Sequence, residues 1–147
     1  MNALEILKQD HQKVKGLFQE VAQADDRNKW KELFNKIDTE LEIHAHIEET
    51  IFYPALEQHD ELRDMVAEAI EEHQEIKALL EDIEGIGAES DEFESQLHGL
   101  MESVEEHVTE EEEEIFPKIR EIFDEGQLEQ LGKELESAKG TAHRKAG

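Results

Sequence analysis

One sequence pattern occurs twice in this chain, and it constrains the fold more than any other feature. Residues 44–54 and 107–117 both read His-x-x-x-Glu-Glu-x-x-x-x-Pro, with the histidine, both glutamates and the proline at equivalent positions. A histidine and a glutamate four residues apart lie on one face of a helix, one turn from each other. The pattern therefore predicts two helices that each present a His/Glu pair, an arrangement used by metal-binding helical bundles.

Apolar residues recur at steps of three and four along four long segments, a spacing typical of helices with one buried face. Polar residues and glycines separate the segments. The predicted helices cover 3–23, 27–58 with a kink or end at Pro54, 61–84, 91–124 with a kink near Pro117, and 127–139. The predicted helix caps are Asp25 or Asp26, Asp60, and Ser90-Asp91.

Four long helices joined by short links predict an all-α fold, an up-down-up-down four-helix bundle with a short extra C-terminal helix. The chain is also duplicated internally, because Asp-His-Gln-Lys-Val-Lys at 10–15 is similar to Glu-His-Gln-Glu-Ile-Lys at 72–77. We predict one domain over 1–139 that consists of hairpins 3–58 and 61–124 and a terminal helix 127–139, followed by a flexible tail over 140–147.

The composition narrows the classes of function. A formal net charge of −25 argues against nucleic acid or an anionic membrane as a partner, because phosphate binding needs clusters of lysine and arginine. The chain has no cysteine, which excludes disulfides, thiol redox chemistry and cysteine-held iron–sulfur clusters. A metal would therefore be held by histidine and carboxylate. Neither a signal peptide nor a membrane-spanning segment is recognisable, so we expect a cytoplasmic protein.

Six polar residues interrupt the apolar stripes of the four long helices: His11, His44, Glu48, His73, His107 and Glu111. In an antiparallel hairpin, two residues lie at the same height when the midpoint between them falls on the turn. The midpoints between polar residues of successive helices fall at about 28–30, 59–61 and 90–92, each at or beside a predicted helix break. All six residues are therefore predicted to meet at one level inside the bundle.

A metal site explains this polar layer better than a purely structural role does. A single histidine on an apolar face is more often a hydrogen-bonded core residue than a ligand. Here, however, four buried imidazoles and two buried carboxylates would have to satisfy one another without an ion, at a cost of several kcal/mol for any unpaired charge. The set divides into two ions that each take two imidazoles and share the glutamates. Such ligands suit iron, manganese or zinc, and open coordination positions favour iron.

The combined pattern resembles the hemerythrin-like (HHE cation-binding) family over about residues 3–124. The resemblance implies a non-haem diiron centre, usually with an oxo or hydroxo bridge, in which the six residues are ligands and Glu48 and Glu111 bridge. Lys77 stands where oxygen-carrying members have a further histidine. Those members also use an aspartate five residues after the last histidine, whereas this chain has Glu111 four residues after His107. The more open site favours redox turnover over reversible oxygen carriage.

The function implied by the resemblance is binding of dioxygen, hydrogen peroxide or nitric oxide, in sensing, scavenging or detoxification. An enzyme of this kind would be an oxidoreductase that decomposes hydrogen peroxide or reduces nitric oxide, with two iron ions as cofactor and manganese or zinc as alternatives. The other hypothesis is a non-catalytic oxygen or iron store, or a metal-dependent sensor domain that acts through a partner. The oligomeric state is left open between a monomer and a homodimer.

Four residues beside the polar layer allow two interpretations each. Tyr53 could serve the metals as a ligand, proton donor or radical trap, although its helix angle places it off the His44/Glu48 face. Lys15 and Lys77 could pair with neighbouring glutamates, such as Glu49 or Glu112, but exposed lysines are commoner. Asp10 could orient an imidazole, but an acid on the surface of the first helix is commoner.

Overall fold

A computed structural model of the chain describes residues 1–146, which form five helices. They are α1, Ala3–Gln23; α2, Arg27–Ile47 with a π-helical turn Glu48–Phe52 and a last turn Tyr53–Leu56; α3, Asp60–Glu84; α4, Asp91–Glu110 with a π-helical turn Glu111–Ile115 and a last part Phe116–Ile122; and α5, Glu125–Ala146. The prediction of an all-helical bundle with an extra C-terminal helix is confirmed. None of the helices in the described residues is long and apolar enough to cross a membrane.

Side chains fix where three of the helices begin. Asp26 accepts a hydrogen bond from the backbone N–H of Asn28 at 2.9 Å, and Ser90 accepts one from Glu92 at 3.1 Å, so both act as the predicted N-caps. Asn2, which we did not predict as a cap, forms a reciprocal capping box with Glu5 at the start of α1. Asp26 and Ser90 mark the turns within the two hairpins. The prediction of Asp60 as a cap was wrong, because Asp60 is the first residue of α3 and His59 precedes it without a side-chain cap.

The prolines neither end nor break their helices. Instead, α2 and α4 each contain a π-helical turn shortly before Pro54 and Pro117. In α2 the N–H of Tyr53 bonds to the carbonyl of Glu48, five residues earlier, and α4 repeats this bond. A proline has no N–H and clashes with the preceding turn of an α-helix, and a wider turn placed before it accommodates that clash. The extra residue also rotates everything that follows it around the helix axis.

Two apolar clusters fill the bundle, one on each side of the polar layer. The upper cluster lies toward the α1–α2 turn and includes Val14, Phe18, Phe34, Ile37, Leu80, Phe93, Leu97 and Leu100. The lower cluster includes Leu4, Leu7, Phe52, Leu56, Leu62, Val66, Phe116 and Ile119. The polar layer therefore lies between two apolar clusters, one above it and one below it.

The last helix is a structural part of the bundle. Leu128, Leu131 and Leu135 of α5 are buried in the lower cluster, where they pack with residues of α1 and α2. Gly132 permits this close approach, because a Cβ atom there would lie 2.5 Å from the carbonyl oxygen of Met1. The amphipathic pattern of this segment is therefore used within the chain, to cover one end of the bundle.

The end of α5 differs from our prediction. We expected a helix over 127–139 and a flexible tail over 140–147, but the helix runs Glu125–Ala146, and Gly147 lies outside the described residues. Two side-chain contacts hold its last turns against the bundle: Lys139 bonds to Asp10, and His143 lies 3.2 Å from Glu40. A glycine at 140 suggested a stop in the sequence, but these contacts outweigh its low helix propensity.

Asp38 of α2 is a half-buried acid without a matching base, and one of its oxygens has no hydrogen-bond partner. Burial and the nearby Glu42 and Glu84 raise the pKa of Asp38 from 3.8 to about 6. The folded-state pKa lies above the unfolded one, so the folded protein binds this proton more tightly. Protonated Asp38 therefore contributes to the free energy of unfolding. This contribution is fully present below pH 3.8 and is lost as the pH rises through about 6.

Asp38→Asn should therefore raise the free energy of unfolding at pH 7.5, by up to about 1 kcal/mol after allowance for solvent screening. At pH 4 the same substitution should have a much smaller effect, because Asp38 is then protonated in the folded state and partly protonated in the unfolded state. Urea unfolding at the two pH values measures the difference. Asp64→Asn, at an exposed position of α3, is the control. Equal effects of Asp38→Asn at both pH values would contradict this account.

Candidate metal centre

The structure brings all six residues of the predicted polar layer together. His11 comes from α1, His44 and Glu48 from α2, His73 from α3, and His107 and Glu111 from α4. All six are buried, and both glutamates are inaccessible to solvent, with 0% exposure. The ligand atoms cluster tightly, since those of Glu48, His73, His107 and Glu111 lie within 4.8 Å of one another, as do those of His11, His44 and Glu111.

The four imidazoles form two pairs, one from each hairpin. The rings of His11 and His44 have centroids 5.0 Å apart, and those of His73 and His107 have centroids 4.7 Å apart. Within the second pair the two Nε2 atoms are 3.1 Å from each other. Two ring nitrogens this close to each other can bind one cation together when both imidazoles are neutral.

Both carboxylates reach across from one imidazole pair to the other. Glu111 Oε1 lies 3.3 Å from Nε2 of His11, and Glu111 Oε2 lies 3.4 Å from Nε2 of His107. Glu48 Oε1 lies 3.1 Å from Nε2 of both His44 and His73. Each glutamate therefore contacts one imidazole of each hairpin.

The unsatisfied polar atoms of this layer fit a metal ion. Among the described residues, six buried side-chain oxygen or nitrogen atoms lack a hydrogen-bond partner, and five of them belong to the layer. These five are Nε2 of His11, Nε2 of His44, both oxygens of Glu48 and Oε1 of Glu111. Burying such atoms without partners is costly, and bound cations would supply the missing partners. Neutral nitrogen and carboxylate oxygen donors suit iron, manganese and zinc.

Each histidine of the layer has a carboxylate within hydrogen-bond distance of its Nδ1 atom, on the side of the ring away from the centre of the layer. The four pairs are His11 with Glu112 at 2.6 Å, His44 with Asp10 at 2.9 Å, His73 with Glu49 at 2.9 Å, and His107 with Glu72 at 2.7 Å. A carboxylate at Nδ1 fixes the proton on that nitrogen, so the lone pair of Nε2 points to the centre of the layer. It also makes the imidazole a stronger ligand.

These outer carboxylates obey the twofold symmetry of the duplicated sequence. Glu49 and Glu112, the second glutamates of the two repeated motifs, each bind the first-helix histidine of the other hairpin. Asp10 and Glu72, which precede the first-helix histidines, each bind the second-helix histidine of their own hairpin. The two adjacent glutamates of each motif therefore make different contacts. The first, Glu48 or Glu111, faces the centre of the layer, and the second, Glu49 or Glu112, connects the two hairpins.

One of our preferred interpretations of the surroundings of the layer was wrong. Asp10 is buried, with 5% exposure, and is not a surface acid of the first helix. Lys15 and Lys77 are exposed, as we preferred, and Glu49 and Glu112 bind imidazoles instead of these lysines. Each of these three acids follows or precedes a proposed ligand directly in sequence. That adjacency was the available signal, but the abundance of acids in this chain concealed it.

A lysine of the last helix extends the chain of contacts behind His44. Lys139 of α5 bonds to one oxygen of Asp10, while the other oxygen of Asp10 bonds to His44 Nδ1. Burial alone would raise the pKa of Asp10, but His44 and Lys139 outweigh it and lower the pKa. Asp10 therefore stays ionised, and the packing of α5 is connected to one imidazole of the layer.

Tyr53 lies inside the site, contrary to our prediction from its helix angle. Its side chain is fully buried, its O–H donates to Glu111 Oε2 at 2.9 Å, and its oxygen lies 3.2 Å from His73 Nε2. An α-helix would place Tyr53 about 140° around the axis from Glu48. The π-helical turn makes five residues close to one full turn, so Tyr53 is on the same face as Glu48.

The pKa values of the buried groups show how strongly they act on one another. Burial lowers the pKa of an imidazole, but Glu111 and Glu48 outweigh it at His107 and raise its pKa to about 9. The pKa of His44 is also well above 6.5, for the same reason. Burial and the two glutamates raise the pKa of Tyr53 well above 10, so the phenol keeps its proton. A metal ion needs neutral imidazoles, so higher pH favours its binding.

Comparison with known proteins agrees with the geometry. A profile of the family described as "Hemerythrin HHE cation binding domain" matches residues 2–119. A hemerythrin HHE cation-binding domain-containing protein from Mycobacterium kansasii, known from a crystal structure, superposes with a TM-score of 0.87 at 28% identity and covers 99% of this chain and 90% of its own.

Two curated proteins are also similar. One is a DNA nickase of Nostoc sp., 34% identical over all 147 residues, and the other is an uncharacterised hemerythrin-like protein of Schizosaccharomyces pombe, 28% identical over 132 residues, or 88% of this chain. The chain spans only 42% of the length of the Nostoc protein and 65% of the length of the yeast protein. Both relatives therefore extend beyond the part that matches this chain.

Asp10→Asn should weaken metal binding by about 10- to 100-fold, because a neutral amide holds His44 and Lys139 less firmly than a carboxylate does. The measurement is competition between the protein and a chelator of known affinity, with Zn²⁺ as the probe. Glu20→Gln, which removes an exposed acid from the same helix, is the control. If both variants bind Zn²⁺ as tightly as the unmodified protein, Asp10 does not support the site.

Proposed function

Because this chain belongs to the hemerythrin HHE cation-binding family, we propose that its polar layer holds two iron ions and that the loaded protein binds or reacts with dioxygen, hydrogen peroxide or nitric oxide. The observation that carries the proposal is the pair of glutamates that each contact one imidazole of both hairpins. In this arrangement His11 and His44 would hold one ion, His73 and His107 would hold the other, and the glutamates would be shared. A bound iron pair would supply electrons and open coordination positions.

The residues around the layer support reaction with a small oxidant more than reversible carriage of oxygen. Only four histidines face the layer, and Lys77, one turn after His73, is exposed at the rim of a cavity. The buried O–H of Tyr53 is a proton donor within hydrogen-bond distance of Glu111. Apolar clusters lie on both sides of the layer, whose six residues are buried. The chain thus offers a buried site with one fixed proton source beside the proposed metal ligands.

We do not extend the activity named for the Nostoc protein to this chain. The chain matches less than half of that protein, and its net charge of −25 opposes binding to a polyanion. The proposed partners are therefore a diatomic molecule or a peroxide, with neither nucleic acid nor membrane, and the proposed location is the cytoplasm. The proposed oligomeric state is a monomer or a homodimer.

Anaerobic loading with Fe²⁺ tests the proposal directly. We expect about two iron ions per chain, and a double variant His44→Ala/Glu111→Ala should lose them because it removes one ligand of each hairpin. His98→Ala is the control, since this exposed histidine of α4 lies outside the layer. Rapid loss of added peroxide by the loaded protein would indicate an enzyme, and a reversible oxygen absorption band would indicate a carrier or store. No iron, or one tightly held zinc per chain, would refute the diiron proposal.

Tyr53→Phe isolates the contribution of the phenol. The variant should still take up two iron ions, because the equivalent position of α4 is occupied by Phe116 without loss of packing. The rate of peroxide consumption should fall by about tenfold or more, since a positioned proton donor commonly contributes at least that much. Iron content and thermal stability, measured in parallel, establish that the variant is intact. A rate equal to that of the unmodified protein would show that the phenol has no part in the reaction.

A further inference from the structure

A cavity of about 310 Å³ lies between the polar layer and the upper apolar cluster. All four histidines of the layer border it on one side. Its walls are apolar and come from all four long helices: Val14, Leu41, Ile76, Leu80, Val104 and Val108. The cavity therefore has a polar floor, formed by the histidines and by Asp10 beside them, then apolar walls, and a charged rim.

The cavity opens between α2 and α3, which belong to different hairpins. Its rim carries the exposed side chains of Glu42, His46 and Glu49 from α2 and Lys77 from α3. Both signs of charge are present at this rim, within a chain whose net charge is −25. An anion would approach against the field of the whole protein, and an ion of either sign would lose its hydration against the apolar walls. The cavity thus favours a neutral ligand.

The volume is larger than a diatomic molecule or hydrogen peroxide requires. A water molecule takes up about 30 Å³ in the liquid, and an apolar protein cavity of about 150 Å³ holds benzene. Pockets for small organic ligands begin at about 300 Å³. A peroxide molecule would leave most of the apolar wall of this cavity without a partner, whereas a compact organic molecule would cover it.

We propose that this cavity binds a neutral organic molecule of about eight to twelve non-hydrogen atoms, with its apolar body against the six wall residues and a single oxygen-bearing end at the four histidines. The inference deepens the proposed function and rests on it for the chemistry at the floor. It assigns the ligand to the class of neutral alkyl or aryl hydroperoxides and the corresponding alcohols. Binding itself depends only on the cavity and can be measured without metal.

The test uses benzyl alcohol as the probe, with metal-free and Zn²⁺-loaded protein. We expect saturable binding at one site per chain in both forms, and nuclear Overhauser contacts from the aromatic protons to the methyl groups of Val14, Leu80 and Val104. Glycerol, which lacks an apolar body, and 4-(hydroxymethyl)benzoate, which adds a charge to it, should bind at least about tenfold more weakly. Absence of saturable binding, or equal binding of either comparison compound, would overturn the inference.

A matched pair of substitutions tests whether the ligand binds in this cavity. Leu80→Phe adds volume to the wall and should weaken benzyl alcohol binding by about tenfold or more, whereas Leu79→Phe, at a partly buried neighbour outside the wall, should leave it unchanged. If Leu80→Phe does not fold, the methyl contacts in the unmodified protein decide the question.

A protein that takes up two iron ions but does not bind benzyl alcohol refutes only this inference. A protein that binds benzyl alcohol but not iron refutes only the proposed diiron function.

Discussion

The structure depends on how two carboxylates, Glu48 and Glu111, are held without solvent in the middle of an apolar bundle. Isolated ionised groups at that depth would destabilise the fold by several kcal/mol each. Here each faces imidazoles, and each imidazole is in turn bonded to a second carboxylate at its far side. Carboxylates and imidazoles therefore alternate from the outside of the layer to its centre, and each buried group is stabilised by its neighbours. A cation at the centre would give the remaining unpartnered atoms their partners.

The two π-helical turns give this network its shape. Both follow a proposed carboxylate ligand and precede a proline, and both rotate the rest of the helix by about one residue. In α2 the rotation brings Tyr53 to the layer, and in α4 it places Phe116 against His11, with ring centroids 6.3 Å apart. At equivalent positions of the two repeats, α2 therefore carries the polar Tyr53 and α4 carries the apolar Phe116. This difference makes the two halves of the layer unlike each other.

Much of this arrangement follows from the sequence. Apolar spacing located four helices, and the turn midpoints placed His11, His44, His73 and His107 at one level. Three features were missed for physical reasons. A count of 3.6 residues per turn holds only where the helix is uniform, so Tyr53 was assigned to the wrong face. Among 40 aspartates and glutamates, composition cannot show which carboxylates turn inward, so Asp10 was taken for a surface acid. The final turns of α5 are held by tertiary contacts that helix propensity does not include.

The crossing of Glu49 and Glu112 between hairpins links the binding of ions to the association of the two halves of the chain. A ligand that binds only the assembled state stabilises that state by its own binding free energy. In the two-ion arrangement that we propose, the first ion would hold the halves together and leave the second set of donors in place. Uptake of the two ions would then be cooperative, and slow separation of the hairpins would set the rate of metal loss.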